Sequence, residues 1–287
     1  MSLLIFGMGY TARALLDAWP ADWPRDVTVT TRSREKARAL ARKGLTARIF
    51  PGDDVSADLA RARRILITAG PELGHDPVLA RLRDEFAHAA HPDWVGYLST
   101  TGVYGDRGGA WVDEDTPLRP TSARGEARVT AEEEWRALHR DHGLPVHVFR
   151  LAGIYGPGRS AFDRLRDGTA RRIVKPGQVF SRIHVEDIAQ VLLASMRRPD
   201  PGAVYNVCDD EPAPPQDVIA HAAELLGVPV PPDMPFEAAD LGPMARSFYA
   251  DNKRVRNDRI KSDLGVRLRY PDYRAGLAGI LARESLD

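Results

Sequence analysis

Short apolar runs rich in branched residues recur at Leu3 to Phe6, Val27 to Thr31, Ala47 to Phe50, Arg64 to Thr68, Trp94 to Ser99 and Pro145 to Arg150, and helical patterns lie between most of them. A further run, Val204 to Asp210, reads as one more strand. Strand alternating with helix is the signature of a parallel sheet covered on both faces, with ligands held at the carboxyl ends of the strands. The expected class is therefore α/β, a Rossmann-type doubly wound parallel sheet, and the loops that follow strands are where function is expected.

With 287 residues the chain has room for one large domain or two coupled ones. Its 40 basic residues balance 40 acidic ones, so no overall field draws it to nucleic acid or to an anionic membrane, and any basic site must be local. The lone cysteine, Cys208, excludes an internal disulfide and reads as a small buried hydrophobe. The opening MSLLIFGMGY lacks the charged region and long apolar run of a signal peptide, and no stretch approaches a membrane span. A cytoplasmic protein is expected.

Gly7, Met8, Gly9, Tyr10, Thr11 and Ala12 form a GxGxxA pattern directly after the first strand and at the start of a helix. Small residues there let backbone approach a pyrophosphate, and the helix amino terminus offers unpaired N–H groups. Gly7, Gly9, Tyr10 and Thr11 are the expected cofactor contacts. About twenty residues on, where NAD-binding folds place an acid against the ribose hydroxyls, stand Thr31, Arg32 and Ser33. An acid would repel a 2′-phosphate, whereas Arg32 can hold one through charge-assisted bonds, so NADP is expected over NAD. The plainer reading makes Arg32 the soluble start of the helix SREKARAL. A flavin in the same cleft is the alternative cofactor, ranked lower because of Arg32.

The segment from Leu98 to Glu132 carries a more specific signal. Thr100 ends a strand, Val103-Tyr104-Gly105 follows, and Glu114, Pro117 and Pro120 come next. Arg124-Gly125 and Arg128 then lead to Glu132 on a helix. This order resembles the active-site segment of the extended short-chain dehydrogenase/reductase superfamily, in its NAD-dependent epimerase/dehydratase-like form. Arg124 stands at the tyrosine position of Tyr-x-x-x-Lys and Arg128 at the lysine position. The glycine pattern is also tighter than the usual GxxGxxG, which marks an atypical subgroup.

The resemblance extends through LAGIYGPGRS, opening at Leu151, and SRIHVEDIAQVLLASM to the carboxyl-terminal third. It implies an NADP-binding domain over residues 1–155, rejoined by 178–207, and a smaller substrate domain over 156–177 and 208–287. It places Asp53 or Asp54 near adenine and sets Thr68, Ala69, Gly70 and Leu151 along the dinucleotide; a pair of aspartates in a loop is also a common turn former or helix cap.

The resemblance further implies that Thr100, Arg124, Arg128 and His184 form the reaction site. Arginine stays protonated in proteins and cannot shuttle a proton as the family's tyrosine does. His184, whose ordinary pKa lies near neutrality, is the remaining candidate acid or base, although a histidine there is often structural. Nucleotide-sugar epimerases of this type carry a phosphate-binding arginine where this chain has Phe180, so a nucleotide sugar is disfavoured unless Arg159, Arg182 or Arg246 replaces it. Pairs His88/His91 and His139/His142 lack a supporting ligand set, and no metal is expected. The expected function is an NADP(H)-dependent oxidoreductase or epimerase/dehydratase-like enzyme acting on a small anionic substrate without a tyrosine. The rival is a non-catalytic NADP(H) sensor.

Overall fold

The structure, a computed structural model, describes residues 2–23, 25–72, 74–88 and 91–284. Seven strands build its main sheet: β1 (Ser2–Phe6), β2 (Asp26–Thr31), β3 (Thr46–Ile49), β4 (Arg64–Ile67), β5 (Trp94–Thr100), β6 (Val146–Leu151) and β7 (Val204–Val207). All pairings are parallel and the order is β7-β6-β5-β4-β1-β2-β3. The order reverses between β1 and β4, which opens a crevice at the carboxyl ends of those two strands, the usual dinucleotide position in such sheets.

Side-chain alternation along β1 explains how the sheet is covered on both faces. Leu3 and Ile5 join a core with Leu15, Val29, Ile188 and Leu192, while Leu4 and Phe6 join another with Ile65, Phe86 and Trp135. Helices α1 (Tyr10–Asp17) and α6 (Val185–Arg197) pack together on the first face, and α4 (Leu79–His88) and α5 (Ala123–His142) on the second. Two further helices, α2 (Arg34–Arg42) and α3 (Ser56–Arg61), complete the crossovers. Their boundaries follow local chemistry. Ser122 Oγ accepts from Gly125 N to start α5, and Gly143 ends it with φ 70°.

A third apolar cluster, including Tyr155, Phe162, Ile219, Leu277 and Ile280, forms the smaller carboxyl-terminal part. Its separation from the sheet domain is incomplete, because Val255, Ile260, Leu264 and Val266 join the first core. Among the described residues no helix is long and apolar enough to cross a membrane.

Candidate functional site

The turn between β1 and α1 is held open by its neighbours. Gly7 has φ 98°, its N–H donates to Thr30 Oγ1, and its carbonyl accepts from Thr68 Oγ1 at 2.5 Å. A Cβ on Gly7 would lie 2.7 Å from that hydroxyl, so only glycine suits this contact. Gly9 caps α1 without any side-chain bond, a Cβ there would meet nothing within 4 Å, and the first turn of α1 carries no acid. The unpaired amides of that turn therefore face open space with a favourable dipole, which fits a pyrophosphate. Thr68, Ala69 and Gly70 follow β4, and Thr68 and Ala69 lie against Gly7.

After β2 the ribose-binding acid is absent from the structure as it is from the sequence. Thr31 Oγ1 accepts from Ser33 N, and Ser33 Oγ caps α2 by accepting from Lys36 N. These two hydroxyls thus already serve local structure. Arg32 extends into solvent, 74% exposed, and pairs through Nη1 with Glu72. Lys36, which sequence reasoning did not single out, donates from Nζ to the Met8 carbonyl within the glycine turn. Its spacing one helical turn beyond Arg32 was the available signal. Asp53 accepts from Ile49 N and closes the loop after β3, while Asp54 accepts from Ser56 N at the start of α3.

The reaction segment gathers around the end of β5. Thr100 Oγ1 accepts from Gly102 N at 3.1 Å, leaving its hydroxyl hydrogen available to a ligand. Arg128 is held by Nη1, which donates to Leu98 O at 2.6 Å and to Tyr97 OH at 3.1 Å. Its other terminal nitrogen lies against Gly70, where a Cβ would approach it to 2.8 Å. Gly125 is buried against Pro120 and the Gly102 carbonyl, so α5 seats closely on the turn after β5. Leu151 pairs in register with Thr100. The structure thus links Gly7, Thr68, Gly70, Arg128 and Thr100 by direct contacts or steps of two residues along the chain. Arg124, in contrast, is exposed on the first turn of α5 and has no hydrogen-bond or ion-pair partner among the described residues.

His184 takes a different place from the acid or base expected of it. It is 1% exposed, its Nδ1 accepts from Glu186 N as the cap of α6, and Nε2 is buried without a partner. Tyr155 packs edge-on against it and Tyr270 lies 4.1 Å away between ring centroids. Burial lowers its pKa to about 4, so at neutral pH it is an uncharged cap. The nearby Tyr10 hydroxyl donates to Pro157 O at 2.9 Å, tying the glycine turn to the loop that resembles the family's own. Burial raises the pKa of Tyr10 to about 12, and Arg159 lies over its ring. Arg182 donates to the carbonyls of Phe180 and Ala213, and Arg246 lies over Phe236, so each of these arginines already has a structural partner.

The motif residues that survive beside the altered pair have a shared explanation. Glu132 accepts from Ser99 Oγ and pairs with Arg150, which also donates to Tyr104 OH at 2.9 Å. Tyr104 donates to Asn206 Oδ1, and Glu114 accepts from Asn206 N. Burial pushes the Tyr104 pKa up to about 12 and raises that of Glu114. This buried network joins β5, α5, β6 and β7. It persists because removing one member strands the others in a dry interior.

A family model described as "NAD dependent epimerase/dehydratase family" matches residues 84–208, the region from α4 through β7. A solved structure of a functionally unknown conserved protein from Silicibacter pomeroyi DSS is 60% identical, with TM-score 0.90 and 99% of each chain covered. The matched segment is similar to that family, and the seven-stranded parallel sheet is the fold of solved epimerases and dehydratases. Protein YeeZ of Escherichia coli strain K12 is 34% identical over 179 residues, which are 61% of this chain. A 3-diazoavenalumate denitrifying reductase of a Streptomyces species is 30% identical over 182 residues, 58% of this chain. The chain spans 58% of the length of each of these two curated relatives. The matched family's description names NAD, and the flavin alternative gains no support.

Proposed function

We propose that this protein is an NADP(H)-dependent oxidoreductase or epimerase/dehydratase-like enzyme that acts on a small anionic substrate without a tyrosine proton shuttle. The observation that carries the reading is the crevice beside the glycine turn. An uncapped helix amino terminus faces one side of it, Arg32 and Lys36 stand after β2, and no acid occupies the ribose position. When bound, the dinucleotide supplies hydride chemistry. The chain's own part is to bind, orient and move a proton. Arg128, fixed on Leu98 and Tyr97 beside Gly70, takes the position of the family's lysine next to the nicotinamide ribose. The Thr100 hydroxyl donates to a substrate oxygen, and Arg124, unpaired at the start of α5, meets the substrate's anionic group. His184 supports this arrangement as a neutral cap, and water fills the proton-transfer role that it does not take.

The likeness to a reductase of a diazo compound supports reductive chemistry as one use of the crevice. Calorimetric titration with NADPH and NADH tests the cofactor reading: equal affinities, or an Arg32→Ala variant that binds NADPH unchanged, would overturn it. Turnover of aldehydes, ketones and keto acids, followed by reduced-nicotinamide absorbance, tests catalysis. Firm NADPH binding with no turnover across that panel favours the sensor instead.

A further inference from the structure

The Arg32–Glu72 pair spans the mouth of the dinucleotide crevice. Arg32 follows β2, Glu72 lies in the loop after β4, and β1 with its glycine turn runs between those strands. Glu72 is anchored from behind: its N–H donates to the His75 carbonyl, and the His75 N–H donates to the Glu72 carbonyl. No other hydrogen bond of the Arg32 guanidinium is seen among the described residues. The side chain offered to a 2′-phosphate is thus claimed by a carboxylate from the far wall.

We propose that Glu72 is an internal competitor of the cofactor's 2′-phosphate and so sets the margin by which NADPH is preferred over NADH. The proposal rests on the NADP reading of Arg32. A carboxylate and a phosphate on one guanidinium repel each other, so NADPH must draw Arg32 away from Glu72. The 2′-hydroxyl of NADH carries no charge and leaves the pair in place. Both partners are largely exposed, 74% and 57%, so the pair is weak enough for the phosphate to displace. Competition therefore trims NADPH affinity without abolishing it.

The test is calorimetric titration of NADPH and NADH into the full-length wild type, Glu72→Gln, Arg32→Ala and the double variant. Glu72→Gln is expected to tighten NADPH roughly two- to fivefold while NADH stays within twofold. In the Arg32→Ala background the same change should give no NADPH gain. Unchanged or weakened NADPH binding in Glu72→Gln overturns the proposal, the latter by making Glu72 a support for Arg32. Equal tightening of both dinucleotides, or a gain that persists without Arg32, also overturns it by making Glu72 a general repeller of phosphate. If Arg32→Ala leaves NADPH affinity unchanged, the 2′-phosphate reading itself falls and takes this proposal with it. If that variant weakens NADPH but Glu72→Gln changes nothing, only the competitor role fails.

Discussion

Glu132 on α5 and Arg150 at the end of β6 form an ion pair of 2.8 Å with side chains 2% and 3% exposed. The pair lies beneath the crevice rather than in it. Through Ser99 it fixes the strand that ends in Thr100, and through α5 it fixes the helix that carries Arg124 and Arg128. The precision of the reaction segment therefore depends on a charge pair sealed from solvent.

Glu132→Ala is expected to destabilise the protein by about 3–5 kcal/mol, because it leaves the Arg150 guanidinium buried and unpaired. Pairing Glu132→Leu with Arg150→Met should recover most of that loss. Urea unfolding measures both. A Glu132→Ala cost below about 1 kcal/mol would show that water reaches Arg150 and that the pair is not sealed.

Lys36 and Arg32 should differ in what they recognise. Lys36 holds the Met8 carbonyl and so shapes the turn that both dinucleotides use. Lys36→Met is expected to weaken NADPH and NADH alike, each by about tenfold for one lost charged bond. Arg32→Ala should weaken NADPH by about tenfold to a hundredfold and spare NADH. Paired titrations check this, and a Lys36→Met effect confined to NADPH would place Lys36 on the 2′-phosphate instead of on the turn.

The glycine turn, the basic loop after β2 and the end of β5 were legible because their chemistry is local to a few consecutive residues. The strand order was legible because alternation with helices leaves few arrangements of a parallel sheet. The partner of Arg32 was not, since Glu72 lies forty positions away and nothing in its own segment marks it. His184 shows the opposite failure. Its ordinary pKa invited a catalytic reading, but its burial between Tyr155 and Tyr270 comes from segments far apart in the chain. Arg150 offered a signal that went unused, a charge ending an apolar strand that must find a partner.

The state of His184 predicts a pH dependence of stability. Its folded pKa of about 4 lies below the ordinary value of 6.5, so the unfolded chain binds the extra proton between those limits. Its contribution is complete above pH 6.5 and is lost as pH falls toward about 4. His184→Asn keeps a capping acceptor for Glu186 N and removes the titration. Wild type should therefore lose about 3 kcal/mol relative to this variant between neutral pH and pH 4. Urea midpoints at several pH values check it. Parallel curves would mean that the imidazole is reached by solvent and titrates near its ordinary value.

The altered reaction pair predicts what the protein will not do. The resemblance implies that nucleotide-sugar epimerisation needs a tyrosine at the position of Arg124 and a phosphate-binding arginine at that of Phe180. Among the described residues each of the three arginines that could replace the latter is already engaged: Arg182 donates to the Phe180 and Ala213 carbonyls, Arg159 lies over Tyr10, and Arg246 lies over Phe236. Incubation with UDP- and dTDP-sugars is expected to give no epimer. Restoring the reactive pair by Arg124→Tyr and Arg128→Lys should still give none while Phe180 remains, because a proton shuttle cannot act on a substrate whose diphosphate is not held. Adding Phe180→Arg is the step that should first produce binding, read by calorimetry before any turnover is sought. Robust turnover by the unmodified protein would mean that another cation holds the diphosphate and that Arg124 is no barrier to the chemistry.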